Sequence, residues 1–121
     1  MNINIHRPDQ NTEFPTDERC SILEIWNDES DNALSIARAR VAPGITTQWH
    51  RLRDVDERYH IVAGTGCVRL GMDEPREVVA GDVVVIPAGT AQQITNSGPT
   101  DLIFYCICTP RFTPDCYESL D

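Results

Sequence analysis

The chain has 121 residues and carries 10 Lys and Arg against 19 Asp and Glu, which gives a formal net charge of -9. This length suits one domain with a single core, and the acidic balance would repel a nucleic-acid backbone or an anionic bilayer. No apolar run approaches the roughly 20 residues that span a membrane, and the first residues lack the basic start and apolar stretch of a signal peptide. We therefore expect a cytoplasmic protein with a small-molecule ligand and with neither nucleic-acid nor membrane partners.

The predicted elements begin after an irregular N-terminal arm at 1–18, and a single domain is expected over 19–121. Beyond residue 20, β-branched and aromatic residues alternate with polar ones, and Gly, Pro, Asn and Asp interrupt them at short intervals, which is typical of an all-β fold. The nine predicted strands lie near 22–26, 33–41, 46–52, 57–63, 66–71, 76–80, 82–87, 92–96 and 101–109. So many short strands indicate a two-sheet jelly roll or a closed barrel.

The last residues predict a short C-terminal helix or turn, because Thr113 is a suitable cap and Pro114 suits a first helical position. Five cysteines, an odd number without CxxC pairs, argue against a disulfide framework. Most of them are expected to be buried thiols. In the last strand, Phe104, Cys106 and Cys108 share a face and would line the barrel wall if that face points inward.

Polar residues fall on one face of the third predicted strand. Residues two apart in a strand share a face, so Gln48, His50 and Leu52 lie together. Arg51 lies on the opposite face and marks it as the more solvated one. His50 is therefore expected to point into the protein.

The same alternation sorts two later strands. Glu57 shares a face with Tyr59, and this face is the more apolar one, so it is expected to point inward while His60 points outward. In the strand at 92–96, Gln92 shares a face with Ile94. His50, Glu57 and Gln92 are thus the polar candidates for the interior.

Two stretches resemble the two sequence motifs of the cupin family. Residues 44–64 have the spacing of the first motif, which reads glycine, five residues, His-x-His, three or four residues, glutamate, six residues, glycine. Residues 81–96 have the spacing of the second motif, which reads glycine, five residues, Pro-x-Gly, two residues, histidine, three residues, asparagine. Every spacing fits. The resemblance implies a cupin double-stranded β-helix, a jelly-roll barrel, and small cupins often form homodimers.

The resemblance also implies a metal site with two of its ligands replaced. In cupins, both histidines and the glutamate of the first motif, with the histidine of the second, bind one divalent metal inside the barrel. The matching positions here are His50, Leu52, Glu57 and Gln92. Leucine has no donor atom and glutamine offers only a neutral carbonyl oxygen. A site of His50, Glu57 and Gln92 for iron, manganese, nickel or zinc is the resulting expectation.

Three functions follow from these residues. The first is a small-molecule-binding cupin with this degenerate metal site and, if it is an enzyme, isomerase, lyase or dioxygenase-like chemistry. The second is a metal-free isomerase, epimerase or dehydratase in which His50 and Glu57 form an acid-base pair, the carboxylate raises the pKa of the imidazole, and Tyr59 serves as an acid. The third is a ligand-binding or sensor module without chemistry. In each case the predicted pocket lining includes Gln48, Leu52, Ile94, Phe104 and Cys106.

Overall fold

The computed structural model describes all 121 residues and consists almost entirely of β-strands. The strands are β1 Phe14–Pro15, β2 Ser21–Trp26, β3 Ser35–Val41, β4 His50–Leu52, β5 Asp56–Ala63, β6 Thr65–Leu70, β7 Arg76–Val79, β8 Val83–Ile86, β9 Gln92–Asn96, β10 Leu102–Thr109 and β11 Tyr117–Ser119. Two 3-10 turns, Gln10–Thr12 and Pro114–Cys116, are the only helical segments. Neither turn has the length or the apolar character needed to cross a membrane.

The strands form two antiparallel sheets. The larger sheet has the order β1-β2-β3-β10-β5-β8, and the smaller has the order β11-β4-β9-β6-β7. From β3 onward the chain passes repeatedly from one sheet to the other, so most neighbouring strands are distant in sequence. This connectivity is that of a jelly roll, and the all-β prediction is confirmed.

All nine predicted strands are present, but the third is shorter than expected. Only His50–Leu52 forms a strand, because Thr46 makes no more than an isolated bridge to Thr95. The backbone N–H of Ile94 donates a hydrogen bond to the Thr47 hydroxyl at 3.0 Å. A side chain thus replaces part of the regular ladder in this segment.

Two strands were not predicted from the sequence. Strand β1 lies inside the predicted irregular arm and pairs with β2. Strand β11 follows the C-terminal turn and pairs with β4. They are two and three residues long, too short for a periodic pattern to reveal. The turn itself begins as predicted, with Pro114 following Thr113, although the Thr113 side chain makes no capping hydrogen bond.

The apolar core has two parts. The main cluster holds 12 buried residues between the sheets, and a second cluster is formed by Leu52, Val55, Cys108 and Cys116. Each large apolar side chain buried in this way contributes about 1.5–3 kcal/mol to stability. Residues of both clusters border a cavity inside the barrel.

Candidate functional site

A cavity of about 230 Å³ lies inside the barrel and is lined by 19 residues, 12 of them hydrophobic. An apolar cavity of about 150 Å³ is enough to accept benzene, so this one has room for a single ring with a substituent. The lining includes seven of the residues singled out from the sequence: His50, Leu52, Glu57, Tyr59, Phe104, Cys106 and Cys108. The inward faces assigned to β4, β5 and β10 are therefore the faces that meet the cavity.

Three other predicted site residues do not line the cavity. Gln48 accepts a hydrogen bond from the Tyr117 hydroxyl, and Ile94 is fully buried in the main core. The prediction that Gln48 and Ile94 line the pocket was therefore wrong. The side chain of Gln92 is also fully buried, behind the cavity wall. Alternation assigned these residues to the inward side, but neighbouring side chains separate them from the cavity.

Glu57 is a buried carboxyl group with an incomplete set of partners. It is 7% exposed, and its Oε1 atom has no hydrogen-bond partner, while Oε2 accepts from the Cys108 thiol at 3.7 Å. Burial raises the pKa of Glu57 to about 7, and favourable contacts with Gln92 and the neighbouring thiols only partly oppose that rise. Near neutral pH the group is therefore able to hold or release a proton.

His50 is held in one tautomer by the backbone. Its Nδ1 lies 2.7 Å from the carbonyl oxygen of Gln48, and because that oxygen only accepts, Nδ1 carries the proton. Burial lowers the pKa of His50, so the ring favours its neutral form and Nε2 keeps a lone pair. The ring stacks on Tyr117 with a centroid separation of 4.8 Å, which fixes its plane.

This geometry corrects one detail of the predicted acid-base pair. Glu57 is not a hydrogen-bond partner of His50, and the pKa of His50 is lowered by burial instead of raised by the carboxylate. The tautomer is fixed by the Gln48 backbone. The two groups still line the same cavity, one on each sheet.

Tyr59 and Gln92 form a buried polar contact beside Glu57. The Tyr59 hydroxyl donates a hydrogen bond to the Gln92 side-chain oxygen. Burial raises the pKa of Tyr59 well above its usual value, with a smaller contribution from the charge of Glu57. Tyr59 therefore orients Gln92 and is a poor proton donor to a ligand.

The residues present do not fit a three-ligand metal site. The Gln92 oxygen that was expected to bind a metal already accepts the Tyr59 hydroxyl and does not line the cavity. No group of three or more His, Cys, Asp or Glu side chains is placed to hold a metal ion. Leu52, at the position of a missing imidazole, is 2% exposed and provides an apolar wall.

The N-terminal segment supplies a wall of the cavity that the sequence interpretation missed. Alternate residues from β1 to β2 face inward: Phe14, Thr16, Glu18, Cys20, Ile22 and Glu24. The spacing of two between these residues was a usable signal, but residues 1–18 were expected to form an irregular arm. Burial raises the pKa of both carboxyl groups.

No positive charge faces this cavity. All ten basic side chains are arginines, and none of them lines it. Arg38 and Arg40 form ion pairs with Glu13 at 3.3 Å. The cavity is thus lined by carboxyl groups without nearby counter-ions in its wall.

Comparison with known proteins identifies similar sequences. The profile of the Cupin_2 family, described as a cupin domain, matches residues 37–108. An oxalate-binding protein from Thermotoga maritima is 33% identical over 78 residues, which make up 64% of this chain and 63% of the relative. The chain thus spans less than two thirds of the length of this curated relative.

Solved structures share the architecture. The capsular polysaccharide assembling protein CapF from Staphylococcus aureus is 28% identical with a TM-score of 0.72, and the match covers 88% of this chain but 33% of CapF. A Cupin 2 conserved barrel domain protein from Salinispora arenicola is 22% identical with a TM-score of 0.74, and 89% of this chain and 90% of that chain are covered. The second likeness, at this low identity, shows the fold alone.

Proposed function

The chain belongs to the Cupin_2 family of cupin domains, and from this premise we propose that it binds a small organic molecule in its barrel without a metal ion and transfers protons to and from that molecule. One observation carries the proposal. Glu57, whose Oε1 atom is buried without a hydrogen-bond partner, lines the same cavity as His50. A buried carboxyl group is costly unless it has a role.

The two groups suit opposite directions of proton transfer. Neutral His50 with its proton on Nδ1 has a free Nε2 that accepts a proton from the ligand. Glu57, with a pKa of about 7, donates a proton from its protonated form and accepts one from its ionised form. Such a pair supports an isomerase or a lyase, which moves a proton between two positions of one substrate or removes water from it.

The proposed chemistry predicts hydrogen exchange that depends on Glu57. In D₂O at pD 7, the protein is expected to incorporate deuterium next to the carbonyl group of one or more members of a panel of small hydroxyketones and aldehydes. General acid-base catalysis contributes about 10²- to 10⁴-fold, so Glu57→Gln and His50→Ala should each lower the exchange rate by at least about 100-fold. Mass spectrometry of the recovered panel measures this rate.

The control for that experiment is Glu77→Gln, an exposed carboxylate on β7 outside the cavity. It should leave exchange unchanged. Exchange that survives Glu57→Gln would remove the carboxyl group from the chemistry. Ligand binding by thermal shift without any exchange would instead favour the non-catalytic binding or sensor module.

Oxalate is a natural candidate ligand because of the relative named an oxalate-binding protein. We expect this chain not to bind it, since Glu18, Glu24 and Glu57 line the cavity and no arginine does. Titration calorimetry with sodium oxalate in the presence of EDTA should give no detectable heat of binding at millimolar concentrations. Binding under these conditions, lost in Glu57→Gln, would contradict the proposed charge preference.

The homodimer and the cytoplasmic location expected from the sequence stay predictions. The edge strand β8 favours the first of them, because Val83 and Val85 are 58% and 65% exposed on it. Exposed apolar residues on an unpaired edge strand suit a second copy of the chain.

A further inference from the structure

The cavity combines three carboxyl groups with no positive charge. Glu57 lies on β5, Glu24 on β2 and Glu18 in the turn between β1 and β2, and none of them forms an ion pair with an arginine. Acidic residues on a surface are ordinarily solvated. Here Glu57 is buried and Glu18 is half-buried against Cys20 and Thr16, while Glu24 is exposed.

A second observation points from these charges to a ligand. Glu57 is more than nine-tenths buried and lines the cavity, and its Oε1 atom is buried without a hydrogen-bond partner. Ionising a carboxyl group in such a place is unfavourable unless a positive charge lies beside it. A bound cation in the cavity would supply that charge.

Aromatic rings supply the other half of the lining. Phe14, Tyr59, Phe104, Phe112 and Tyr117 all face the cavity. Tyr59 and Phe104 pack against each other with centroids 4.6 Å apart, and Tyr117 stacks on His50. Phe14, in contrast, is 47% exposed. The faces of aromatic rings attract organic cations, and this attraction is stronger where water is excluded.

We propose that the ligand of this cavity is a small organic cation, an amine in its ammonium form, with its charge among the carboxyl groups and its apolar part against the aromatic rings. This inference rests on the proposed binding function of the same cavity. An ammonium group donates hydrogen bonds and supplies the counter-ion that Glu57 lacks. An anion would meet three carboxyl groups without an arginine to offset them.

Three probes of nearly equal size test the sign of the ligand's charge: benzylammonium, benzyl alcohol and benzoate. Each has one ring and a short substituent, which fits a cavity of about 230 Å³. At pH 8 we expect benzylammonium to bind at least about 10-fold more tightly than benzyl alcohol, as cation-π and carboxylate contacts together allow. Benzoate should show no binding. Titration calorimetry and ligand-observed NMR measure the three affinities.

Variants assign the preference to the cavity carboxyl groups. Glu18→Gln and Glu57→Gln should each reduce the preference for benzylammonium over benzyl alcohol by about 3- to 10-fold, and the double variant should abolish it while benzyl alcohol still binds. Glu77→Gln makes the same change in net charge on β7, outside the cavity, and should leave the preference intact.

The possible outcomes separate this inference from the proposed proton transfer. Benzylammonium binding that is lost in the double variant supports the inference even if no deuterium exchange is found. Benzoate binding equal to or tighter than benzylammonium, or a preference that survives the double variant, overturns it. Exchange on neutral carbonyl compounds with no preference for the ammonium probe would overturn the inference and leave the proposed function standing.

Discussion

Glu57→Gln is expected to raise the free energy of unfolding at pH 8 by about 3 kcal/mol, because the wild-type protein must ionise a buried carboxyl group at that pH. The pKa of Glu57 rises from 4.5 to about 7 on folding. The variant carries a neutral amide of nearly the same shape, and the amide oxygen still accepts the hydrogen bond that Cys108 donates to Glu57.

The direction of the pH dependence follows from proton binding. Between pH 4.5 and about 7 the folded protein holds a proton on Glu57 that the unfolded chain has released. Stability due to this group therefore falls as pH rises through that window, and it is constant above and below it. The advantage of Glu57→Gln should be near zero at pH 4.5 and complete at pH 8.

Urea titrations of both proteins at half-unit pH intervals measure this difference. Glu18 and Glu24, whose pKa values are also raised, act in the same direction, whereas His50, whose pKa is lowered, acts in the opposite one. The contributions of Glu24 and His50 are common to both proteins and cancel in the difference, whereas the charge of Glu18 raises the pKa of Glu57 and is part of the difference. Glu77→Gln, an exposed control, should follow the wild-type curve. A difference that does not vary with pH would show that Glu57 titrates normally.

The sequence predicted the part of the site that depends on alternation within a strand. His50 and Leu52 on β4, and Glu57 and Tyr59 on β5, meet the cavity because side chains two apart share a face. The same alternation predicted that His60 points outward, and His60 is exposed.

Alternation within a strand could not predict the residues that tertiary contacts bring to the site. Tyr117 reaches His50 and Gln48 only because β11 pairs with β4, and a three-residue strand leaves no periodic signal. Glu18 and Glu24 have the right spacing, but a glutamate on a strand is ordinarily solvated, and only the folded hairpin of β1 and β2 shows that they face the cavity.

The replacement of cupin metal ligands by Leu52 and Gln92 predicts that restoring them restores a metal site. His50 and Gln92 are direct partners across β4 and β9, and Leu52 shares the cavity with His50 and Glu57. The double variant Leu52→His, Gln92→His would add two imidazoles close to His50 and Glu57. This is the ligand set that the resemblance to cupins implies for a divalent metal.

We expect this double variant to bind zinc more than about 100-fold more tightly than the wild-type protein, since even outer partners of metal ligands change affinity by about 10- to 100-fold. Without metal, two imidazoles in buried positions should lower the melting temperature. At a zinc concentration of about 100 times the dissociation constant, binding should return about 2.7 kcal/mol of stability. Elemental analysis after dialysis and thermal unfolding with and without zinc measure these effects.

A matched control separates the geometry of the cavity from the simple addition of histidines. Arg51→His, Gln93→His makes the same two additions one residue away, on the opposite faces of β4 and β9. It should bind zinc no better than the wild-type protein. If wild type, double variant and control all hold about one equivalent of metal that His50→Ala removes, then His50 and Glu57 bind metal without further imidazoles, and the metal-free proposal fails. If only the double variant holds it, Leu52 and Gln92 are what keep the metal out of this barrel.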